Sequence, residues 1–303
     1  MGKAIFTAAF SAALVSCGLQ ASPVGVYLTM ENDCFKGPQS DDDYTHGTCI
    51  EARDGLWSYK LGQNMYAPHD LKREDHIEGD RPYAGIIYGG VGREILFAED
   101  SLFTHYAELD FGMIGPASMC RETQTMIHKL LDCKKPMGWS NQLHNEFVVN
   151  GQWWTKYNWY VWDYIALVPR VGTLFGTIQD AAEVGFDIKV GWNLRNDVGN
   201  QILLSAAQAE RGSSWLDDLS AWAFVGCDER YYLYNHFLEG TLFGNRDNDR
   251  RVDIEPFVFE WRCGAAVQFR SFYASYYIVY REKEFRTQKT RPDYGGFCIG
   301  WTF

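Results

Sequence analysis

Phe297-Cys298-Ile299-Gly300-Trp301-Thr302-Phe303 is the stretch whose reading decides the fold. Phe297, Ile299, Trp301 and Phe303 take every second position, and Cys298, Gly300 and Thr302 lie between them. Successive side chains of an extended strand point to opposite faces, so one face of this segment is wholly apolar and the other small or polar. The same period of two recurs upstream. Phe257, Phe259, Trp261, Ala265, Val267 and Phe269 share a face opposite Glu260, Arg262, Gln268 and Arg270. Val184, Phe186, Ile188, Val190 and Trp192 alternate with Glu183, Asp187 and Lys189, and Phe147, Val149 and Trp153 with Glu146, Asn150 and Gln152. A soluble sandwich encloses its apolar face and wets its polar one. These segments are long, and their polar faces mix charges of both signs, which suits a polar lumen inside an apolar exterior.

The expectation is therefore an all-β fold, an antiparallel transmembrane β-barrel of about twelve strands. The alternating segments place strands near 24–33, 44–54, 57–68, 82–96, 102–114, 141–155, 159–173, 178–192, 219–235, 252–268, 271–286 and 293–303. The final aromatic strand resembles the signal by which outer-membrane barrels are recognised for insertion. Aromatic residues make up 16% of the 303 residues while the mean hydropathy is slightly negative, a balance that suits aromatic girdles better than a soluble core. A formal net charge of −11 excludes a nucleic-acid partner, which needs a basic surface. Bacterial barrels have even strand numbers and both termini in the periplasm. Starting upward from that side, segments 34–43, 69–81, 115–140, 236–251 and 287–292 fall at the outer face, and the long 193–218 connection falls at the periplasmic one.

Residues 1–21 read as a secretory signal ahead of one barrel domain over 22–303. Lys3 precedes an apolar run from Ala4 to Val15, and Gly18-Leu19-Gln20-Ala21 offers a cleavage region. Leu14-Val15-Ser16-Cys17 also fits a lipoprotein box, so a lipidated Cys17 stands as the alternative. Eight cysteines suit an oxidising compartment. Cys34 and Cys49 flank one loop and offer a bridge. Cys120 and Cys133 flank a helical stretch that would hold them ~20 Å apart, beyond disulfide reach. Cys227, Cys263 and Cys298 lie in strand patterns and read as wall residues, and no spacing suits zinc.

Three polar clusters converge on the outer rim: Glu31-Asn32-Asp33, Asp43-Tyr44-Thr45-His46-Gly47, and the loop running from Gly115-Pro116-Ala117-Ser118 to Gly138-Trp139-Ser140-Asn141-Gln142. Within that loop Met119 to Leu131 reads as a helix, with Ser118 as cap, Glu122 near its start and Lys129, Lys134 and Lys135 at its end. Gln124, Ile127, His128 and Leu131 share one face, an imidazole and a carboxamide on an apolar stripe. Laid against the wall, that stripe would frame a cleft for an acyl chain. A neutral histidine can take a proton from water, and a neighbouring amide can fix its tautomer. Asn32 and Asp33 offer the hard oxygens that calcium prefers, and Thr45 could bind a ligand, position water or orient Asp33.

Five motifs in order resemble the outer-membrane lipid A 3′-O-deacylase family across nearly the whole mature chain. They are Glu31-Asn32-Asp33, Asp43-Tyr44-Thr45-x-Gly47, Asp80-Arg81-Pro82-Tyr83-Ala84-Gly85, the Gly115-Pro116-Ala117-Ser118…Gln124…His128 loop, and Gly138-Trp139…Asn141-Gln142-Leu143-His144-Asn145-Glu146. Phe237-Leu238-Glu239-Gly240 and Lys283-Glu284-Phe285 follow at matching positions. The resemblance implies a twelve-stranded barrel with its site between the wall and an outer-loop helix. It further implies calcium-dependent hydrolysis of the 3′-linked acyl chains of lipid A, with lipopolysaccharide and outer-membrane lipids as partners of a monomer. By position His128 is the general base and Gln124 its supporting neighbour, while Asn32, Asp33 and Thr45 belong to the active-site and calcium region, Asn32 and Thr45 among the catalytic residues and Asp33 and Asn32 as metal ligands. Lys72, Arg73, Lys134 and Lys135 could meet lipid A phosphates.

Blander readings stand beside these. Asn32-Asp33 suits a turn, Asp41-Asp42-Asp43 a solvated turn, and Arg81-Pro82 the start of a strand. Glu146 suits either a lumen charge or a supporting carboxylate, and His46, His69, His76, His105, His144 and His236 share no ligand spacing. The rival functions are an outer-membrane phospholipase, which should pair a serine with a histidine, and a non-enzymatic channel or adhesin.

Overall fold

The computed structural model describes residues 24–37, 43–95, 102–130, 132–133, 135–194, 218–243, 247 and 250–303. The expected signal segment with Cys17, Asp41 and Asp42, Leu131, Lys134 and most of the 193–218 connection lie outside them. Twelve antiparallel strands close into a ring. They are β1 (Val24–Asn32), β2 (Asp43–Asp54), β3 (Trp57–Ala67), β4 (Ala84–Ile95), β5 (Phe103–Ile114), β6 (Glu146–Tyr157), β7 (Ile165–Gly176), β8 (Gln179–Trp192), β9 (Leu219–Asn235), β10 (Phe257–Phe269), β11 (Phe272–Arg281) and β12 (Tyr294–Thr302). Each pairs with its neighbour in sequence, and β1 pairs with β12 from Gly25↔Thr302 to Asn32↔Gly295. Closure leaves no exposed strand edge.

The structure moves some boundaries. Trp159–Trp162, expected to open the seventh strand, instead continue β6 beyond a break at Asn158, and the chain turns at Asp163-Tyr164 before β7. Aromatic and branched residues run through both sides of that turn with no glycine or proline between them, so their period conceals it. Pro169 inside β7 has no N–H to give the ladder. The β6 pairing stops at Lys156↔Arg170 and resumes at Trp159↔Leu167, so the proline sits in the gap. Residues 252–256, expected in the tenth strand, lie before it, held by the bridge Ile254↔Phe285 and by backbone hydrogen bonds such as Val252 N–H to the Leu238 carbonyl and Tyr232 N–H to the Pro256 carbonyl. Cys34 and Cys49 are not joined by a disulfide. Cys49 pairs with Thr29, three residues or ~10 Å short of the end of β1, and Cys34 lies in the turn beyond that end.

The two faces follow the alternation. Outward, cross-strand rows run Trp301–Val26–Ala52–Tyr59–Val91 and, one step nearer the long loops, Ile299–Leu28–Ile50–Leu61–Gly89. Inward lies a chain of charge. Arg170 and Arg262 each pair with both Asp187 and Asp228, all of them buried. The chain continues through Glu183–Arg230 and through Glu260–Arg281 at 2.9 Å, Arg281–Glu284 at 3.3 Å and Glu284–Arg81 at 3.1 Å to Asp43 at 3.6 Å. Each charge has a partner of opposite sign, which offsets the cost of taking it out of water.

Candidate active site on the outward face

At the loop end the outward rows change character. The next two read Phe297–Met30–Thr48–Gln63–Ile87 and Gly295–Asn32–His46–Met65–Gly85. Polar side chains thus stand on the face that is apolar one step below.

One corner of this patch is built at the end of β1. Asn32 caps a 3-10 turn, Asp33–Lys36, accepting from the Cys34 N–H at 2.8 Å and donating from Nδ2 to the Thr45 carbonyl at 2.8 Å. Lys36 pairs with Asp293 at 2.7 Å and the Tyr276 hydroxyl donates to the Phe35 carbonyl at 2.6 Å, so the turn is pinned onto β11 and β12. Thr45 lies at a bulge, where the β2–β3 register slips between Tyr44 and His46. The Asp33 side chain is buried, and the buried Thr45 Oγ1 makes no hydrogen bond among the described residues. A carboxylate, a hydroxyl and an amide gathered at one bulged corner fit a hard cation such as calcium, with carbonyls or water completing the shell. No cluster of three or more His, Cys, Asp or Glu with metal-holding geometry occurs among the described residues, so any such site draws mostly on neutral oxygens.

The opposite wall is the helix α1 (Cys120–Leu130). Gly115 turns the chain out of β5 at φ 91°, with its Cα against the His144 backbone, where a side chain would collide. Ser118 donates to the Gly115 carbonyl at 2.6 Å, and Gln63 on β3 donates to the Ser118 carbonyl at 2.7 Å. Cys120 then lands on Gly85, where an added Cβ would occupy the space of its side chain. Gly85 has the outward parity of Val91, so α1 lies on the outside of the barrel, across β3 and β4. Met65, Ala67, Leu71, Tyr83, Cys120 and Trp139 form the small core beneath it. Burial pushes the Cys120 thiol up to about 12.

The face that α1 buries corrects the expected apolar stripe. Cys120, Gln124 and His128, spaced by four, are buried, whereas Ile127 is only partly so and Met119, Met126 and Leu130 stand exposed. The indole N–H of Trp139 donates to Gln124 Oε1 at 2.7 Å, and its ring packs 4.9 Å from Tyr83. Gln124 Nε2 makes no hydrogen bond among the described residues. Of the residues expected in the site, Asn32, Asp33 and Thr45 thus share one corner and Gln124 and His128 share the helix face. The two groups flank the β2–β3 rim, the turn packing on β1, β2 and β12 and the helix on β3 and β4.

Trp139, His46, Thr48 and Gln63 were not singled out as site residues from the sequence. The parity of His46 and Thr48 with Ile50 was the available signal, since the register is unbroken from His46 onward. Other motif residues turn inward. Asp43, Arg81 and Glu284 belong to the lumen network, Phe237 packs 4.5 Å from Tyr66, and Glu146 accepts from Thr241 at 2.7 Å. His144 meets Asp247 at 2.6 Å on the loop side, and Arg250 braces Asp247 at 2.7 Å. His69, Lys72, Arg73, Ile77, Asp80 and Lys289 line a separate open cavity of about 480 Å³.

Comparison with known proteins agrees with this architecture. Residues 4–303 match the family described as outer membrane protein LpxR. The solved structure of LpxR from Salmonella typhimurium superposes with a TM-score of 0.76 at 21% identity, covering 92% of this chain and 100% of that one. The β domain of the Bordetella autotransporter BrkA reaches a TM-score of 0.45 at 7% identity, over 94% of this chain and 99% of that one. No curated protein matches by sequence. A closed twelve-stranded barrel matched from end to end places the chain in the LpxR family of outer-membrane proteins.

Proposed function

We propose that this barrel is a calcium-dependent esterase that removes the 3′-O-linked acyl chains of lipid A. It acts as a monomer on lipopolysaccharide in the outer leaflet, with its long loops facing outward. One observation carries the reading: α1 turns Gln124 and His128, rather than its methionines, onto the outward face of the wall. Polar groups on the lipid side of a barrel are costly, and a buried imidazole and carboxamide there are more than a structural anchor needs. An ester whose acyl chain lies along the wall would reach them without leaving the membrane.

In this reading His128 accepts a proton from water as that water attacks the ester carbonyl, then returns it to the leaving sugar oxygen. Gln124, one helical turn earlier and fixed by Trp139, holds the imidazole or the water in line. Asp33, Asn32 and the Thr45 hydroxyl would hold calcium, which supplies positive charge to the developing oxyanion. The exposed Met119, Met126 and Leu130 give the acyl chain an apolar edge, and Lys72, Arg73 and Lys135 suit the phosphates of the head group.

Expression in an outer membrane, followed by mass spectrometry of lipid A, tests the proposal. The 3′-acyl chains should be lost with calcium and retained after chelation. His128→Ala should lower the rate by at least ~100-fold, the scale of a lost general base. Unchanged lipid A beside a folded, calcium-replete barrel would overturn the proposal.

A further inference from the structure

Glu31, Tyr44 and Gly47 belong to the two motifs that supply Asn32, Asp33 and Thr45, and the reading above gives them no part. They lie on the lumen side of the wall, behind the candidate site. Glu31 has the inward parity of Tyr27, and Gly47 is its cross-strand partner. One Glu31 carboxylate oxygen accepts from the Tyr44 hydroxyl on β2 at 2.5 Å, and the other accepts from the Tyr277 hydroxyl on β11. Both tyrosines are buried. Glycines clear the way for them. A Cβ on Gly47 would occupy the place of the Tyr44 hydroxyl, and a Cβ on Gly296, which faces Glu31 from β12, that of the Tyr277 hydroxyl. The clasp runs from β11 across β12 to β1 and on to β2, joining four strands behind one corner.

Its link to the corner is the bulge. Tyr44 pairs with the inward Tyr66 and His46 with the outward Met65, although both lie at even positions of β2. Thr45 is therefore the residue at which β2 changes parity. A β2 without the bulge would send Tyr44 outward with His46 and turn Thr45 into the lumen, away from Asn32 and Asp33. The bond to Glu31 holds Tyr44 inward, and Glu31 is joined through the chain to Asn32 and Asp33. Both sides of the corner thus hang from one carboxylate.

We propose that Glu31, Tyr44 and Tyr277 form a lumen-side clasp that sets the calcium affinity of the Asn32–Asp33–Thr45 corner by holding the Thr45 bulge in place. The clasp rests on the calcium corner of the esterase reading and deepens it, because it places control of cation binding on the opposite face of the wall. All three are positioning residues. They act on the cation only through the backbone they hold.

The test titrates calcium alone, by calorimetry, into the purified full-length barrel in detergent micelles without substrate. Tyr44→Phe and Tyr277→Phe, which remove only a hydroxyl, should each raise the Kd for calcium about 10-fold, the scale of one lost hydrogen bond. Glu31→Ala should raise it further, and Glu31→Gln, which keeps one acceptor oxygen, should fall between Glu31→Ala and the wild type. Tyr273→Phe, at another buried lumen tyrosine of β11, should leave it unchanged. The heat-dependent gel shift of a folded barrel checks each variant, and kcat of Tyr44→Phe at saturating calcium should stay near the wild-type value. Unchanged calcium affinity in folded Tyr44→Phe and Tyr277→Phe overturns the clasp, and a lower urea midpoint alone would assign those bonds to stability. A folded wild type that binds no calcium overturns the calcium corner, and the clasp with it. A wild type that binds calcium yet leaves lipid A intact overturns the esterase reading instead.

Discussion

At the scale of single residues, a neutral hydrogen bond fixes the helix side of the proposed site. Trp139 serves Gln124 through one N–H, and its ring stays packed on Tyr83 whether or not that donor is present. Trp139→Phe should therefore keep the loop in place while freeing the carboxamide. Initial-rate kinetics should show kcat about 10-fold lower with KM little changed, as expected for one lost positioning hydrogen bond. Equal losses in both parameters would assign Trp139 to packing instead. A second residue reports on the loop through its charge. His236 opens a short helix beyond β9; its Nδ1 is 3.1 Å from the Thr177 carbonyl, and burial holds its pKa below the ordinary 6.5. The fold thus favours neutral imidazole. Its contribution is fully present above pH 6.5 and is lost as pH falls through the depressed value, because the opened loop takes up the proton first. Hydrogen exchange across 236–243 should quicken between pH 7.5 and pH 5 after correction for intrinsic rates, and His236→Gln should flatten the change.

At the scale of elements, the strands were legible and the rim was not, for one physical reason. Where a strand faces lumen on one side and lipid on the other, the period of two carries the whole answer. Glu183, Asp187 and Lys189 accordingly turn inward and Val184, Phe186 and Ile188 outward as read. The helix obeys a different rule, since which face it buries depends on where it lands. On apolarity alone Ile127 should point to the wall, but α1 lies on an outward surface whose own surroundings are apolar, so its polar face turns in and Met126 and Leu130 turn out. The landing depends on Gly85 having no side chain beneath Cys120. Gly85→Val should lift α1 while leaving the strand pairing of β3 and β4 intact. The variant should then show a normal heat-dependent gel shift with activity at least ~10-fold lower, the scale of a misplaced catalytic group. Cys120, whose buried thiol is held protonated with a pKa of about 12, should be alkylated slowly in the wild type and rapidly in the variant. Slow alkylation in an inactive variant would mean that α1 had stayed seated and that the glycine acts otherwise.

At the scale of the whole molecule, the barrel divides its labour between two faces. The outward face holds the candidate chemistry, and the inward face holds charge that joins strands far apart in sequence. Arg170 on β7 and Arg262 on β10 meet Asp187 on β8 and Asp228 on β9, so four consecutive staves share one buried cluster. Such a cluster is weak evidence for stability as a whole, because desolvation cancels much of the attraction; removing one member is another matter. Asp187→Ala would leave two guanidinium groups with a single carboxylate between them and should cost ~3–5 kcal/mol, read as a lower urea midpoint for loss of the heat-dependent gel shift. Replacing Arg262 and Asp187 together with apolar residues of similar size should cost less than Asp187→Ala alone. The same cluster bears on the channel reading. Arg81, Glu284, Arg281 and Glu260 extend the charge chain to the loop end, so ions crossing the lumen would have to part it at several levels. Reconstituted into a planar bilayer, the wild type should show no steady conductance, whereas Asp187→Ala should open brief conducting events as the under-compensated arginines draw water. A large, stable wild-type conductance would make the lumen a conduit and reduce the outward site to decoration. A silent wild type is what a barrel used as a scaffold for its own outer wall requires.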